Sequence, residues 1–339
     1  MTLVACIGGG QLGRMLGLAG LPLGLSFRFL DPSSDACARD VGELVVGEYG
    51  DPDALDQLVD GADVVTYEFE NVPVDAARGV DAVPGAAALE EGQDRLREKE
   101  LFRSLGIETA RFGALEETGL PALVKSRRLG YDGKGQRRVE VAEPVGDDEL
   151  AEAIVPFDRE LSIVGVRGRN GGTRFWPVCE NVHRDGILRV TRAPAVNAPQ
   201  AEAEAIGTAL MDALGYVGVL AVELFEVGGR LLANEFAPRV HNTAHWTIDG
   251  AETSQFENHL RAILGLPLGS TEARAPSVMV NLIGSTPPAE KLLALRGAHL
   301  HLYGKAPRAG RKVGHVTLVA PDEDVVRRLV ALADDASRG

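Results

Sequence analysis

Cysteine is scarce in this chain of 339 residues, with only Cys6, Cys37 and Cys179, no C-x-x-C spacing and one thiol left over from any pairing. That pattern excludes a disulfide framework or a zinc ribbon and points to buried, reduced thiols. Long apolar runs are also missing: no stretch approaches the roughly 18 residues a membrane helix needs. No basic segment precedes the first apolar run, so neither a signal peptide nor a membrane partner is expected. Aromatic residues make up only 5%. Positive charge is in deficit, 35 Lys+Arg against 49 Asp+Glu, a net charge of −14. Such a surface argues against a nucleic-acid partner, which binds through basic patches. It leaves open an anionic small molecule held in a local basic pocket. What remains is an ordinary globular composition, 45% hydrophobic and 25% charged, with 40 glycines that suit loops and close backbone approaches. The length suggests two or three domains and a soluble, cytoplasmic protein.

The first ninety residues alternate as an α/β unit. Strands are expected at 3–7, 26–30, 44–46 and 63–67, with helices at 11–19 and 54–59, which implies parallel crossovers and a doubly wound sheet. A charged amphipathic helix follows at 93–105. Beyond residue 109 the pattern turns to antiparallel β with interspersed helices at 200–214 and 252–264, and a terminal helix at 322–333. The expected division is a doubly wound domain (1–92), a linker helix with a small lid (93–168), a larger domain with a carboxylate hairpin (169–270) and a β/α extension (271–339).

Two glycine loops stand out. Gly8-x-Gly10-x-x-Gly13 follows a strand and opens a helix, and Asp31 ends the next strand. Glycines permit close approach, and a helix N-terminus offers free N–H groups to a phosphate. A dinucleotide, another phosphate ligand and a structural tight turn all remain open on this segment alone. The second loop is more informative. Lys125 ends a strand, and Gly130-Tyr131-Asp132-Gly133-Lys134-Gly135-Gln136 follows with three glycines around a second lysine. No GK[ST] closes it, so it is not a Walker A motif. It suits a flexible cover over a triphosphate.

Two apolar strands each carry a carboxylate, Val222-Glu223-Leu224 and Ala233-Asn234-Glu235-Phe236. A two-residue turn at Gly228-Gly229 would pair Glu223 with Asn234 and turn Glu235 away. A three-residue loop, Gly228-Gly229-Arg230, would pair the two glutamates on one face, a register that needs a cation between them. Oxygen ligands on strands suit Mg²⁺, completed by phosphates and water. Pro238-Arg239-Val240-His241-Asn242 follows at once, and Lys305, Arg308, Arg311 and Lys312 form the one concentrated basic run.

Taken together, these pieces resemble the ATP-grasp superfamily and, within it, the N5-carboxyaminoimidazole ribonucleotide synthase family. The likeness runs through GGGQLGRML at 8–16, DRLREKELF at 94–102, GYDGKGQ at 130–136, ENVHRDGILR at 180–189 and GYVGVLAVELF at 215–225. It continues with NEFAPRVHN at 234–242, SQFENHLRAILGLPLG at 254–269, PSVMVNLIG at 276–284 and GRKVGH at 310–315. The resemblance implies an ATP-grasp fold (α/β and α+β, with a doubly wound N-terminal domain, a small lid and a C-terminal domain). It implies ATP contacts at Arg95, Lys125, Gly130, Tyr131, Asp132, Gly133, Lys134, Gly135, Gln136, Glu160, His183, Asn234 and Glu235. The segment Glu152, Ala153, Ile154 and Val155 would read the adenine. Glu223, Glu235 and Asn234 would hold Mg²⁺, with Mn²⁺ as a substitute. Arg239, His241, Asn242 and Lys134 would serve catalysis. Gly10, Gln11, Leu12, Gly13, Tyr131, Arg239, His241, Lys305, Arg311 and Lys312 would receive the aminoimidazole ribonucleotide and bicarbonate.

The departures are local. Ala237 stands where many superfamily members have Asn, and Val240 and Thr243-Ala244 replace the Pro and Ser-Gly often seen in the family. The implied reaction is ATP-dependent carboxylation of an amine through carboxyphosphate, by a homodimer. A different ATP-grasp carboxylate–amine ligase, such as a formate-dependent glycinamide ribonucleotide transformylase, is the alternative. A nicotinamide dehydrogenase would leave Lys125 and the glutamate hairpin unexplained.

Overall fold

The computed structural model describes residues 2–130 and 135–338. Its first sheet contains β1 (Leu3–Ile7), β2 (Ser26–Asp31), β3 (Glu43–Val46) and β4 (Val64–Tyr67), all parallel, in the order β3-β2-β1-β4. Four of the five residues of β1 are buried, because helices cover both faces of a parallel sheet and no polar alternation is needed. Between the strands run α1 (Gln11–Gly20) and α2 (Pro52–Val59). The second is started by Asp51, whose side chain accepts from the amide of Asp53, and by Pro52 in the first turn. The strand order reverses between β1 and β4. Loops leaving their carboxyl ends therefore flank a crevice suited to a ligand.

Short helices α3 (Val74–Gly79) and α4 (Ala86–Gly92) lead to α5 (Arg95–Ser104), capped by Asp94. A small antiparallel sheet follows, built of β5 (Phe112–Gly113), β6 (Ala122–Ser126), β7 (Gln136–Val139) and β8 (Glu149–Ala153) in the order β5-β8-β6-β7, with α6 (Leu115–Thr118) against it. β8 reads ELAEA, residues of high helix propensity, yet it is a central strand. Pairing on both sides and burial of Leu150 and Ala151 override local preference.

The remaining strands form one nine-stranded sheet. It takes in β9 (Arg159–Arg167), β10 (Thr173–Phe175), β11 (Cys179–Arg184), β12 (Ile187–Ala193), β13 (Gly218–Val227), β14 (Arg230–Ala237), β15 (Ser277–Ile283), β16 (Ala298–Leu302) and β17 (Lys312–Val319). The order is β14-β13-β9-β11-β12-β15-β17-β16, with β10 on β9. The helices α7 (Gln200–Ala213), α8 (Thr247–Gly250), α9 (Gln255–Ile263), α10 (Ala289–Leu293) and α11 (Glu323–Arg338) pack around it. Two expected boundaries fall inside this sheet. β9 lies in segment 93–168 but pairs with β13 and β11, and β15 of segment 271–339 pairs with β12. Local patterns do not reveal the partner of a strand. All three cysteines are free and buried, and no described helix is long and apolar enough to cross a membrane.

His259 on α9 ties two of these sheets together. Its Nδ1 accepts from the Val219 amide at 3.2 Å, so the neutral ring carries its proton on Nε2 and donates to Thr66 Oγ1 at 3.0 Å. Burial lowers its pKa from 6.5 to about 4, and His245 and His315 are lowered in the same direction, also chiefly by burial. Below pH 6.5 the unfolded chain takes a proton that folded His259 refuses. Stability therefore falls as pH drops from 6.5 to 4 and the His259 share levels off below that. That share reaches about 3 kcal/mol. In His259→Gln, thermal unfolding midpoints should start lower at pH 7 and decline less steeply between pH 6.5 and 4.

Candidate active site

A cleft of about 600 Å³ opens where the three sheets meet. The first sheet contributes Gly10, Gln11, Leu12, Glu68 and Glu70, and α5 contributes Arg95. Leu123, Lys125, Gly130 and Gln136 come from the small sheet. The large sheet and its loops supply Phe157, Glu160, His183, Leu188, Glu223, Phe225, Asn234, Glu235, Arg239, His241, Asn242, Lys305 and Lys312.

At the glutamate hairpin the expected pairing is present, reached by a different route. Val227 pairs with Arg230, so the loop is the two-residue turn Gly228-Gly229, with φ of 56° and 80° that glycine alone adopts freely. Of the two loops left open by the sequence the shorter one is present, yet with the glutamate pairing worked out for the longer one. The extra residue sits in β14. Leu224 pairs with Ala233 and Glu223 with Glu235, and the bulge between them absorbs Asn234. Burial and the Glu235 charge push Glu223 up to about 7, and the buried Asn234 Oδ1 has no partner. Two facing carboxylates with a free amide oxygen form an oxygen-only donor set that fits a hard divalent cation. Among the described residues no group of three or more His, Cys, Asp or Glu is placed to hold a metal ion, so phosphate and water oxygens would have to complete such a shell.

Cations ring this pair. Arg95 Nη1 lies 3.0 Å from Glu235 Oε2, and its Nη2 donates to Gly130 O at 3.3 Å. Lys125 Nζ donates to Glu152 Oε2 at 2.9 Å, and the buried Lys99 Nζ lies 3.5 Å from the same oxygen. Burial alone would raise Glu152, but the two ammonium groups outweigh it and hold its pKa at about 2. Glu152, Ala153, Ile154 and Val155 are not among the described lining residues. The chain runs on from them into Phe157, whose ring stacks on Phe225 at 4.8 Å. Glu160 Oε2 lies 2.8 Å from His183 Nδ1. Burial would lower His183, yet that hydrogen bond and nearby carboxylates raise it.

Arg239 is paired through Nε with Glu70 and donates to Val240 O at 3.0 Å. His241 Nε2 lies 3.5 Å from Glu223 Oε1, and its pKa falls well below 6.5 through burial and then the Arg239 charge. Gln255 fixes the His241 backbone on both sides, accepting from its N–H at 2.8 Å and donating to its carbonyl at 2.7 Å. Both side-chain polar atoms of Asn242 are buried without partners. Of the basic run, Lys305 contacts Gln11 Oε1 and lines the cleft with Lys312, whereas Arg311 donates to Ala306 O at 3.3 Å and lies off the lining. Tyr131, Asp132, Gly133 and Lys134 lie outside the described residues. Ser126 N donates to Gly135 O at 2.7 Å on the far side of that segment.

The first glycine loop holds an anion from its own chain. Glu68 accepts from the amides of Gly10 and Gly13, both at 2.7 Å, and Asp31 accepts from Gly9 at 2.9 Å. Sequence reading did not single out Glu68, Glu70 or Phe157. The available signal was the acidic pair directly after β4, at the sheet's switch point.

The parallel first sheet, the lysine-bearing small sheet and the glutamate hairpin beside them define an ATP-grasp protein. An ATP-grasp domain model matches residues 102–256, a ribonucleotide synthetase preATP-grasp domain matches 1–91 and a phosphoribosylaminoimidazole carboxylase C-terminal domain matches 277–329. N5-carboxyaminoimidazole ribonucleotide synthase of Pseudomonas aeruginosa is 48% identical over 97% of both chains. The crystal structure of the Thermus thermophilus synthetase superposes with a TM-score of 0.93 at 54% identity, covering 97% of this chain and 98% of that one. An Aspergillus clavatus synthase in complex with ADP and 5-aminoimidazole ribonucleotide gives 0.89 at 32% identity, covering 98% and 99%. The chain belongs to the N5-carboxyaminoimidazole ribonucleotide synthase family.

A Cβ added at Gly10 would overlap Glu68 Oε1. Gly10→Ala should displace that carboxylate from both amides and cost about 1–3 kcal/mol, read as a lowered thermal unfolding midpoint.

Proposed function

We propose that the chain is an ATP-dependent carbon–nitrogen ligase of purine biosynthesis. It carboxylates the exocyclic amine of 5-aminoimidazole ribonucleotide with bicarbonate, yielding N5-carboxyaminoimidazole ribonucleotide, ADP and phosphate. The observation that carries this reading is the position of Arg239, His241 and Asn242. They line one cleft with the Glu223–Glu235 pair and with the Gln11–Lys305 contact.

Glu223, Glu235 and Asn234 would hold Mg²⁺, or Mn²⁺ in its place, which neutralises phosphate charge when bound. The chain's own groups do the rest. Lys125 and Arg95 bring positive charge to the phosphates from the small sheet and α5. Glu160, fixed by His183, accepts from ribose hydroxyls. Leu123, Phe157, Leu188 and Phe225 offer apolar surface to adenine next to segment 152–155. Arg239 already holds a carboxylate, Glu70, so bicarbonate or carboxyphosphate is an anion of matching charge for the same guanidinium. His241 stays neutral near pH 7 and acts as a hydrogen-bond partner, and the unpaired Asn242 amide is available to the same oxyanion. Gln11, Lys305 and Lys312 receive the ribonucleotide.

A bicarbonate oxygen attacks the γ-phosphorus and ADP leaves. The amine nitrogen then attacks the carboxyl carbon of carboxyphosphate, inorganic phosphate departs and the nitrogen loses a proton. Catalysis is positioning and charge neutralisation, with no covalent enzyme intermediate. Carboxyphosphate must be kept from water, and the glycine-rich, lysine-bearing sequence of 130–135 suits that task. The same reading takes the protein as a cytoplasmic homodimer.

Phosphate release from ATP tests it directly. Release should require bicarbonate and rise with aminoimidazole ribonucleotide, while stimulation by formate with glycinamide ribonucleotide would reassign the chain to a transformylase. Glu235→Gln should lower the rate by about 10²–10³-fold.

A further inference from the structure

The β14 bulge decides whether Glu235 faces Glu223, and its outer edge is met by two buried ionisable side chains from α5 that lie off the cleft lining. β14 is the edge strand of the large sheet, so every second N–H points away from β13. These outward groups are all paired. Leu231 N donates to Glu202 Oε1 at 3.2 Å and Ala233 N to Glu108 O at 2.7 Å. Phe236 N, three positions on and not two, donates to Glu98 Oε1 at 2.7 Å. That step from a spacing of two to three is the bulge itself. The outward carbonyl of Asn234 accepts from Lys99 Nζ at 2.7 Å. Glu98 and Lys99 are consecutive residues, 2% and 0% exposed, and they grip β14 on either side of Glu235.

We infer that Glu98 and Lys99 are positioning residues that hold the β14 bulge and so set Asn234 and Glu235 on the side of Glu223. The inference rests on the reading of that hairpin as the cation site. Without the bulge, the Gly228-Gly229 turn would pair Glu223 with Asn234 and turn Glu235 to the opposite face. That slip would also take Phe236 N and Asn234 O away from Glu98 and Lys99, leaving two buried polar groups without those partners. The grip therefore penalises the wrong register as well as supporting the right one. Lys99 reaches further. Its Nζ also donates to Thr109 Oγ1 at 3.0 Å and lies 3.5 Å from Glu152, the carboxylate that holds Lys125. One buried ammonium thus links the hairpin to the lysine of the small sheet.

The test compares Glu98→Leu, Glu98→Asp and Glu98→Gln in the full chain, with hydrogen–deuterium exchange of the Phe236 amide, Mn²⁺ binding by electron paramagnetic resonance, and the Mg²⁺ dependence of phosphate release. Glu98→Leu removes the acceptor, and Glu98→Asp keeps the charge but withdraws it by one methylene, so it serves if the leucine variant does not fold. Both should speed Phe236 exchange, weaken Mn²⁺ binding by about 10–100-fold and raise the Mg²⁺ concentration needed for phosphate release by a similar factor, the range for groups that orient metal ligands. KM for aminoimidazole ribonucleotide should stay within about twofold, because no ribonucleotide contact is touched. Glu98→Gln keeps an acceptor oxygen and should restore exchange and ion binding. Unchanged exchange and ion binding in Glu98→Asp would overturn the inference, as would a glutamine variant as impaired as the aspartate one. Glu235→Gln separates the two ideas. If it keeps full Mn²⁺ binding, the cation reading of the hairpin fails and the inference falls with it. If it loses that binding while the Glu98 variants do not, only the positioning role is wrong.

Discussion

Two carboxylates held face to face in a half-buried cleft repel each other, and the rest of the site is arranged around that repulsion. Glu223 carries its cost as a raised pKa, His241 stands beside Glu223 and Arg95 beside Glu235, and the buried amide oxygen of Asn234 has no partner. Nothing in an isolated hairpin would maintain such an arrangement. It persists because the strands are continuous with a nine-stranded sheet and because the edge strand is gripped from outside by α5. Repulsion that is built in and that Arg95 relieves only at Glu235 is a standing affinity for positive charge.

A second theme is the use of the chain's own carboxylates where anionic ligands would be expected. Glu68 fills the amides of the first glycine loop, Glu70 takes Arg239, and Glu152 holds Lys125 with Lys99. Each basic or donor group is thereby oriented before any substrate arrives. The net charge of −14 is compatible with anionic substrates for this reason: what matters is the few cations that line the cleft and the acids that aim them.

Much of this was legible in the sequence. The parallel first sheet follows from short apolar runs alternating with helical patterns, and the lysine at the end of β6 from a strand that stops at a glycine-rich loop. The pairing of Glu223 with Glu235 was one of two registers the sequence allowed, and the structure reaches it with the turn of the other. Alternation and turn length predict register only when the strand has no bulge, and Asn234 carries no local mark of being one. β8 was invisible because ELAEA favours a helix and becomes a strand only through its neighbours. Glu68 and Glu70 were passed over because acids after a strand usually face solvent. Their role depends on β1 and β4 being adjacent, which is a fact of topology and not of local pattern.

The continuity of the large sheet has a mechanical consequence. Glu223 lies on β13 and Lys312 opens β17, so these two cleft residues stand on one continuous ladder of paired strands. Separating them would require shearing that ladder, whereas the small sheet bearing Lys125 has its own ladder and its own core. Any movement of the small sheet against the large one would therefore leave Glu223 and Lys312 fixed relative to each other.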